Sequence, residues 1–246
     1  IVKTGVTGVA GEQKNDIGRG RYVGTPINNI RTYVFDGIFQ TDADAINSAQ
    51  GSLGGTITPF QNVATLLAGA IRLKDVNGDG RINDDDQVIF ATDPKWFSSI
   101  STTVSYKSFD LLADLYFVEG TMKINPYLSS FNEGGTLQSV RNGIKVDYWT
   151  PENPSNTFPR PNYSAAPANV SSLGLRESSY VRLRTLSLGY NMQNSLLDKM
   201  KLSGLRVYIT ASNLFTITDY KSYSPENNPN QFPDTKSFTF GLNIGL

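Results

Sequence analysis

The 246-residue chain contains no cysteine and no histidine. The first absence removes any disulfide framework and any thiolate metal site. The second removes a serine–histidine triad, a histidine-ligated zinc site and a histidine acid/base. Charge imbalance is missing as well: 22 Lys and Arg meet 22 Asp and Glu, for a formal net charge of zero. No general attraction to nucleic acid or anionic lipid follows, and no nucleic-acid partner is expected. No apolar run approaches the roughly 18 residues of a membrane helix. The sequence opens on Ile1 with no signal peptide before it, as expected of a processed, cut or partial chain. Mean hydropathy is −0.28. That value looks soluble, but a membrane β-barrel alternates lipid-facing and lumen-facing residues and hides its hydrophobicity from an average.

What the chain does have is period-two alternation. In SFTFGLNIGL, Phe238, Phe240, Leu242, Ile244 and Leu246 share one face, and Ser237, Thr239, Gly241, Asn243 and Gly245 share the other. Such a pattern predicts a strand with one apolar face. LRVYITASNLF sets Leu205, Val207, Ile209 and Ala211 against Arg206, Tyr208, Thr210 and Ser212. YVRLRTLSLGY sets Leu186, Leu188 and Tyr190 against Thr185, Ser187 and Gly189. WFSSISTTVSY carries Trp96, Ile100, Val104 and Tyr106 on one parity. FDLLADLYF places Phe109, Leu111, Ala113, Leu115 and Phe117 opposite Asp110, Asp114 and Tyr116, and two acids on one face suit a wet lumen better than a dry core. A weaker strand is expected at residues 31–35.

The connections alternate in length. Lys107 and Ser108 make a tight turn, and residues 191–204 make a modest link with room for one helical turn. Residues 37–95, 122–177 and 214–235 are long links. Short turns at one end and long loops at the other characterise outer-membrane barrels. Trp96, Tyr106, Tyr190 and Phe215 lie near strand ends, where interfacial aromatic girdles sit. A soluble β-sandwich also alternates, but links beyond about 12–15 residues are uncommon in compact soluble domains. Five or six strands do not close a bacterial barrel, so the chain is expected to be part of one.

Residues 75–86, DVNGDGRINDDD, have the spacing of a 12-residue EF-hand-like calcium loop. Asp75, Asn77 and Asp79 would give side-chain oxygens, Arg81 its carbonyl, Asn83 a side chain or bridging water, and Asp86 the twelfth-position carboxylate. Gly80 permits the turn and Ile82 would anchor the loop. Aspartate at position 12 is shorter than the usual glutamate, which predicts weak affinity, nearer ~10⁻⁴–10⁻³ M. A polar Asx/Gly turn without metal is the competing reading. A dockerin-like module would need a second loop, and none is present.

Several segments, in order, resemble the SusC/RagA-like TonB-dependent outer-membrane transporters. RYVGTPINNIRTYVFDGIFQTDADA is similar to that family's VGxPI and DGIFQ-like elements with their acidic patch. IRLKDVNGDGRINDDDQVIF is similar to its KDVNGDGxIxxxD loop, and KVDYWTPENPSNTFPRP to its WTPENPxxxxPR loop. SSYVRLRTLSLGYNM, GLRVYITASNLFTITDYKSYSPE and the final FTFGLNIGL resemble its last strands. Ser222 stands where the family usually has glycine, and Ser224 where it often has aspartate. The likeness covers Arg21 to Leu246. It implies an all-β fold: the C-terminal antiparallel strands of a 22-stranded transmembrane barrel with long extracellular loops, all of residues 1–246 belonging to it. It implies a Gram-negative outer-membrane location, a SusD-like surface lipoprotein lid, the remainder of barrel and plug, and TonB coupling through an N-terminal part. The cargo would be oligosaccharide or peptide. The cation loop would then order an extracellular loop with Ca2+.

Aromatics gather in the second long link, residues 122–177. Tyr148, Trp149, Phe158 and Tyr163 could stack on a sugar ring or a peptide, or pack the loop. Asp110, Asp114, Asp147 and Glu152 would be the acids of a glycosidase, but nothing in the sequence places two across a substrate. No covalent catalysis is expected. The alternative from another class is a secreted or surface, calcium-stabilised β-sandwich that binds glycans.

Overall fold

The computed structural model describes residues 6–7, 13–16, 19–50, 67–125, 128, 147–160, 169–227 and 231–245. In chain order its strands are β1 (Val6–Thr7), β2 (Gln13–Lys14), β3 (Asn29–Thr32), β4 (Phe35–Ile38), β5 (Ile71–Leu73), β6 (Val88–Ala91), β7 (Trp96–Tyr106), β8 (Phe109–Glu119), β9 (Met122–Ile124), β10 (Leu175–Glu177), β11 (Tyr180–Asn191), β12 (Gly204–Ile217) and β13 (Ser237–Gly245). Three short helices intervene: α1 (Asp42–Ile46), α2 (Val170–Gly174) and α3 (Asn194–Met200). The chain divides into a loop unit, residues 1–93 and 122–176, and a sheet unit, residues 94–121 and 177–246.

The loop unit is built from two-stranded ladders: β1 with β2, β3 with β6, β4 with β5, and β10 with β9. The predicted strand at 31–35 is split, because β3 pairs with β6 and β4 pairs with β5. The chain changes partner between Thr32 and Phe35. Elements this short cannot stand alone. They are held by a core of Ile38, Ile71, Leu73, Ile82, Trp149 and Leu173, with Tyr33, Phe35, Phe158 and Val170 packed on it. Burial of each large side chain contributes roughly 1.5–3 kcal/mol.

Buried polar side chains join the pieces. Gln50 donates to the Ile71 carbonyl (3.1 Å) and accepts from the Leu73 amide (2.5 Å). Asn156 accepts from the Ile38 amide (2.7 Å). Gln40 accepts from the Trp149 indole N–H (3.0 Å) and donates to the Ile38 carbonyl (2.8 Å). The DGIFQ and WTPENPSN segments therefore share one hydrogen-bonded seam. Gly69 lies beneath Trp149 with φ +82°, and a Cβ there would come within 2.5 Å of the indole. Only glycine meets both conditions without strain.

The sheet unit is one antiparallel five-stranded sheet in the order β13-β12-β11-β8-β7. β7 and β8 are each 11 residues, β11 is 12, β12 is 14 and β13 is 9. At ~3.3 Å per residue and a tilt near 45°, such strands cross a bilayer's hydrocarbon layer. Lys107 takes a left-handed φ of 54° in the tight turn between β7 and β8. The modest link between β11 and β12 holds α3, with Leu197 buried. The outer edges of β13 and β7 have no strand partner among the described residues.

The two faces differ as the alternation predicts. Phe109 and Tyr190 are cross-strand partners with ring centroids 4.8 Å apart, and Leu188 pairs with Leu111 and Ile209. Leu205, Val207 and Ile209 pair with Ile244, Leu242 and Phe240. Trp96, Ile100, Tyr106, Phe238, Phe240, Leu242 and Ile244 on this apolar face are all exposed, Phe240 at 78%. Leu246 lies outside the described residues. The opposite face is polar. Arg206 pairs with Asp110 (2.6 Å), which also accepts from Asn191 (3.1 Å), and Ser187 and Thr210 share a hydrogen bond of 2.8 Å.

One register shift interrupts the sheet. Leu183 faces Leu115 and Phe215, but Thr185 faces Asp114 and Ser212. β11 thus gains a residue over β8, and β12 gains one over β11, with Asn213 at φ 52°. A bulge of this kind bends a strand and re-aims its side chains.

Candidate functional site

The acidic loop joins β5 to β6. Its carboxylates and amides serve its own backbone. Asp75 accepts from the amides of Gly78 (2.7 Å) and Gly80 (2.8 Å). Asn77 accepts from Asp79, and Asp79 from Arg81. Asn83 accepts from the Asp85 amide at 2.7 Å. Asp86 is fully buried, and its two oxygens accept from Val76 and Asn83, each at 2.8 Å. Asn83 and Asp86 thereby form a capping box on the 3-10 turn Asp84–Asp86.

Gly78 and Gly80 adopt φ of 75° and 77°, as sharp turns require. Ile82 is buried in the core, and Arg31 of β3 donates to the Asp84 carbonyl (2.6 Å). The donors are hard oxygens in the order a calcium loop uses, so in type they fit that ion. Among the described residues no group of three or more carboxylates gathers at one point. The fold alone accounts for these hydrogen bonds as a chain of Asx turns.

The predicted aromatic surface resolves differently. Trp149 is 8% exposed and belongs to the core. Phe158 packs against that core, and its carbonyl accepts from the Trp149 amide at 3.1 Å. Trp149 is thus taken up in the packing of the loop core, and Phe158 is half-buried against it. Tyr148 is partly exposed and forms a bridge with Phe158. Tyr163 lies outside the described residues. The turn at 147–157 is tightened by Asp147, which accepts from the Asn153 side chain at 2.8 Å. Hydrogen bonds from Asn153, then Ser155 and Thr157, hold its carboxyl below the usual aspartate range.

Two arginines on β11 went unremarked in the sequence reading. Arg182 is 4% exposed. It donates to Thr216 Oγ1 (3.0 Å), Glu226 (2.7 Å) and Asp234 (2.5 Å), and lies over the Tyr180 ring at 5.0 Å. Glu226 and Asp234 belong to the long link after β12, so Arg182 fastens that link to the sheet. Ser224, in the same link, is buried and accepts from the amides of Glu226 (3.1 Å) and Asn227 (3.0 Å). A hydroxyl here does the turn-capping work of an aspartate. The second arginine, Arg184, lies over Tyr116, 3.3 Å from the ring centroid. Two arginines alternating with apolar residues, as in YVRLR, are the signal that could have found both.

Strands of membrane-spanning length, one exposed apolar face, one polar face and long links define the strand-rich fold of a β-barrel transporter fragment. Among the described residues its sheets are not closed. The comparisons with known proteins agree. The chain is 27% identical over 238 residues to TonB-dependent receptor P3 of Formosa agariphila, covering 90% of the chain and 22% of the relative. It is 29% identical over 202 residues to TonB-dependent receptor P26 of the same organism, covering 72% of the chain and 20% of the relative. Among solved structures, the RagAB peptide importer in its open-open state matches with a TM-score of 0.64 and 23% identity, over 92% of this chain and 23% of that one. The closed-closed state matches at 0.63 and 23% identity, over 91% of this chain and 23% of that one. No family model matches the chain. With the ordered motifs, these likenesses support a portion of a SusC/RagA-like TonB-dependent transporter. The chain spans less than a quarter of the length of these relatives.

Proposed function

We propose that this chain supplies strands and outer loops to an outer-membrane importer of 22 strands, energised through TonB and capped by a SusD-like surface lipoprotein. The observation that carries the reading is the five-stranded sheet with its apolar side exposed. In water such a face is an association liability, whereas in lipid it is the required outer surface. The polar face then lines the lumen. The partnerless edges of β7 and β13 would be met by further strands, since an open edge in lipid leaves backbone groups unsatisfied. The names of the relatives support a transporter and not an enzyme. The cargo is an oligosaccharide or a peptide. RagAB is a peptide importer by name, which favours peptide by analogy alone.

The acidic loop is read as a calcium clamp on an extracellular loop, held by Asp75, Asn77, Asp79, the Arg81 carbonyl, Asn83 and Asp86. Donor order, the two left-handed glycines and the Ile82 anchor support this. Bound calcium would cross-link the loop and shield its acids from one another. Millimolar calcium should slow protease cleavage within residues 74–87, and EGTA should restore it. Equal cleavage in both leaves the Asx-turn loop without a metal.

The transporter reading is tested by native mass and subunit analysis of the detergent-extracted protein. Co-purification with further barrel and plug sequence and a lipoprotein supports it. A monodisperse, detergent-independent 27.0 kDa monomer overturns it.

A further inference from the structure

The polar face of the sheet treats its two neighbouring arginines oppositely. Arg182 is buried and answered by two acids. Arg184 is partly exposed and, among the described residues, has no carboxylate partner; its one interaction is with the ring of Tyr116. Asp114, two residues from Tyr116 on β8, makes no ion pair with Arg184 among the described residues. Tyr116 sits in an aromatic row, with centroids 6.4 Å from Phe97 and 6.2 Å from Tyr180. The bulge between Leu183 and Thr185 sets Arg184 opposite no residue of β8.

An arginine over an aromatic ring keeps its in-plane N–H donors directed outward. Much of the rotamer entropy that ligand binding would cost is already lost. A planar fork with no internal acid suits a carboxylate, which it can take through two charge-assisted hydrogen bonds. We propose that Arg184, held over Tyr116, is a carboxylate-binding position on the polar face. Its ligand is the acidic group of the cargo, whether a uronic acid or a peptide C-terminal carboxylate. This rests on the reading that the polar face lines the transport path.

The test uses the intact detergent-solubilised transporter assembly and two matched pairs of probes. One pair is an oligogalacturonide and its methyl ester, and the other a peptide and its C-terminal amide. Calorimetry should show at least one free acid binding roughly tenfold or more tighter than its neutral partner. Arg184→Met keeps an apolar stem over Tyr116 and should erase that preference, chiefly by weakening binding of the free acid. Arg184→Lys should keep part of it. A preference confined to one pair names the source of the carboxylate. Equal affinity for acid and neutral probes, no binding of any probe, or a preference that survives Arg184→Met overturns the proposal. The import reading stands or falls separately, by the subunit analysis above. An assembly with its lipoprotein but without acid preference removes this subsite only.

Discussion

In the loop unit, Ile38, Ile71, Trp149 and Leu173 turn inward and almost vanish from solvent; in the sheet unit, Trp96, Phe240, Leu242 and Ile244 stay outside. The same residue types are sorted in opposite senses. The loop unit follows the ordinary rule of water, with a dry centre and a seam of satisfied amides through Gln40, Gln50 and Asn156. The sheet keeps Arg206, Asp110 and Thr210 on one side and its large apolar side chains on the other. One polypeptide thus carries two solvent codes, and the boundary between them follows the division into units.

Substitutions can break that contrast. The largest effect is expected from Trp149→Ala, which empties the loop core and leaves Gln40 without its indole donor. It should cost about 3–5 kcal/mol, seen as accelerated proteolysis of residues 20–93 and 147–176 while the sheet stays protected. Leu242→Arg on the apolar face should cost about 2–4 kcal/mol near the bilayer midplane. Thr239→Arg on the polar face of the same strand should cost far less. Urea titration of the membrane-inserted protein compares the two, and equal costs would contradict the lipid-facing assignment. Gly69→Ala forces a Cβ toward Trp149 at a left-handed φ. It should destabilise the loop unit by about 2–3 kcal/mol.

The smallest effect concerns Asp147. Its folded carboxyl titrates below the usual value because Asn153, Ser155 and Thr157 hydrogen-bond its charged form. The stability it gives is present above the ordinary aspartate pKa of about 3.9 and is lost as pH falls through the lower folded value. The difference in urea midpoint between the parent and Asp147→Asn should therefore shrink as pH drops below about 4. A difference that stays constant from pH 7 to pH 2 would show that this titration does not matter.

The sheet was legible because each long strand advertises its two faces residue by residue. From Phe238 to Ile244 no partner need be known to say which side is apolar. The loop unit was not legible in that way. Its strands have two to four residues, too few for a period, and its core forms between segments far apart in the chain. Trp149 illustrates the limit: WTPENP marks a rigid turn, but only Gln40, 109 positions away, and Gly69, earlier in the chain by about eighty positions, reveal that the indole is buried. The acidic loop was legible in its hydrogen-bonding residues, since spacing and glycines fix its turns. The bulge leaves one trace in the sequence. Leu183 and Leu186 share the apolar face although three residues apart, which strict alternation forbids.

The seam between the DGIFQ and WTPENPSN segments also sets a timetable. Its hydrogen bonds join residues 109 and 118 positions apart, whereas β7 and β8 need only a two-residue turn between them. Loop-closure entropy favours the hairpin first and the seam last. A chain delivered from its N-terminus would expose Ile38, Ile71, Leu73 and Ile82 until Trp149 and Leu173 arrive. Until residue 173 is delivered, those four side chains lack the partners that bury them, and the rate of chain delivery sets how long they wait.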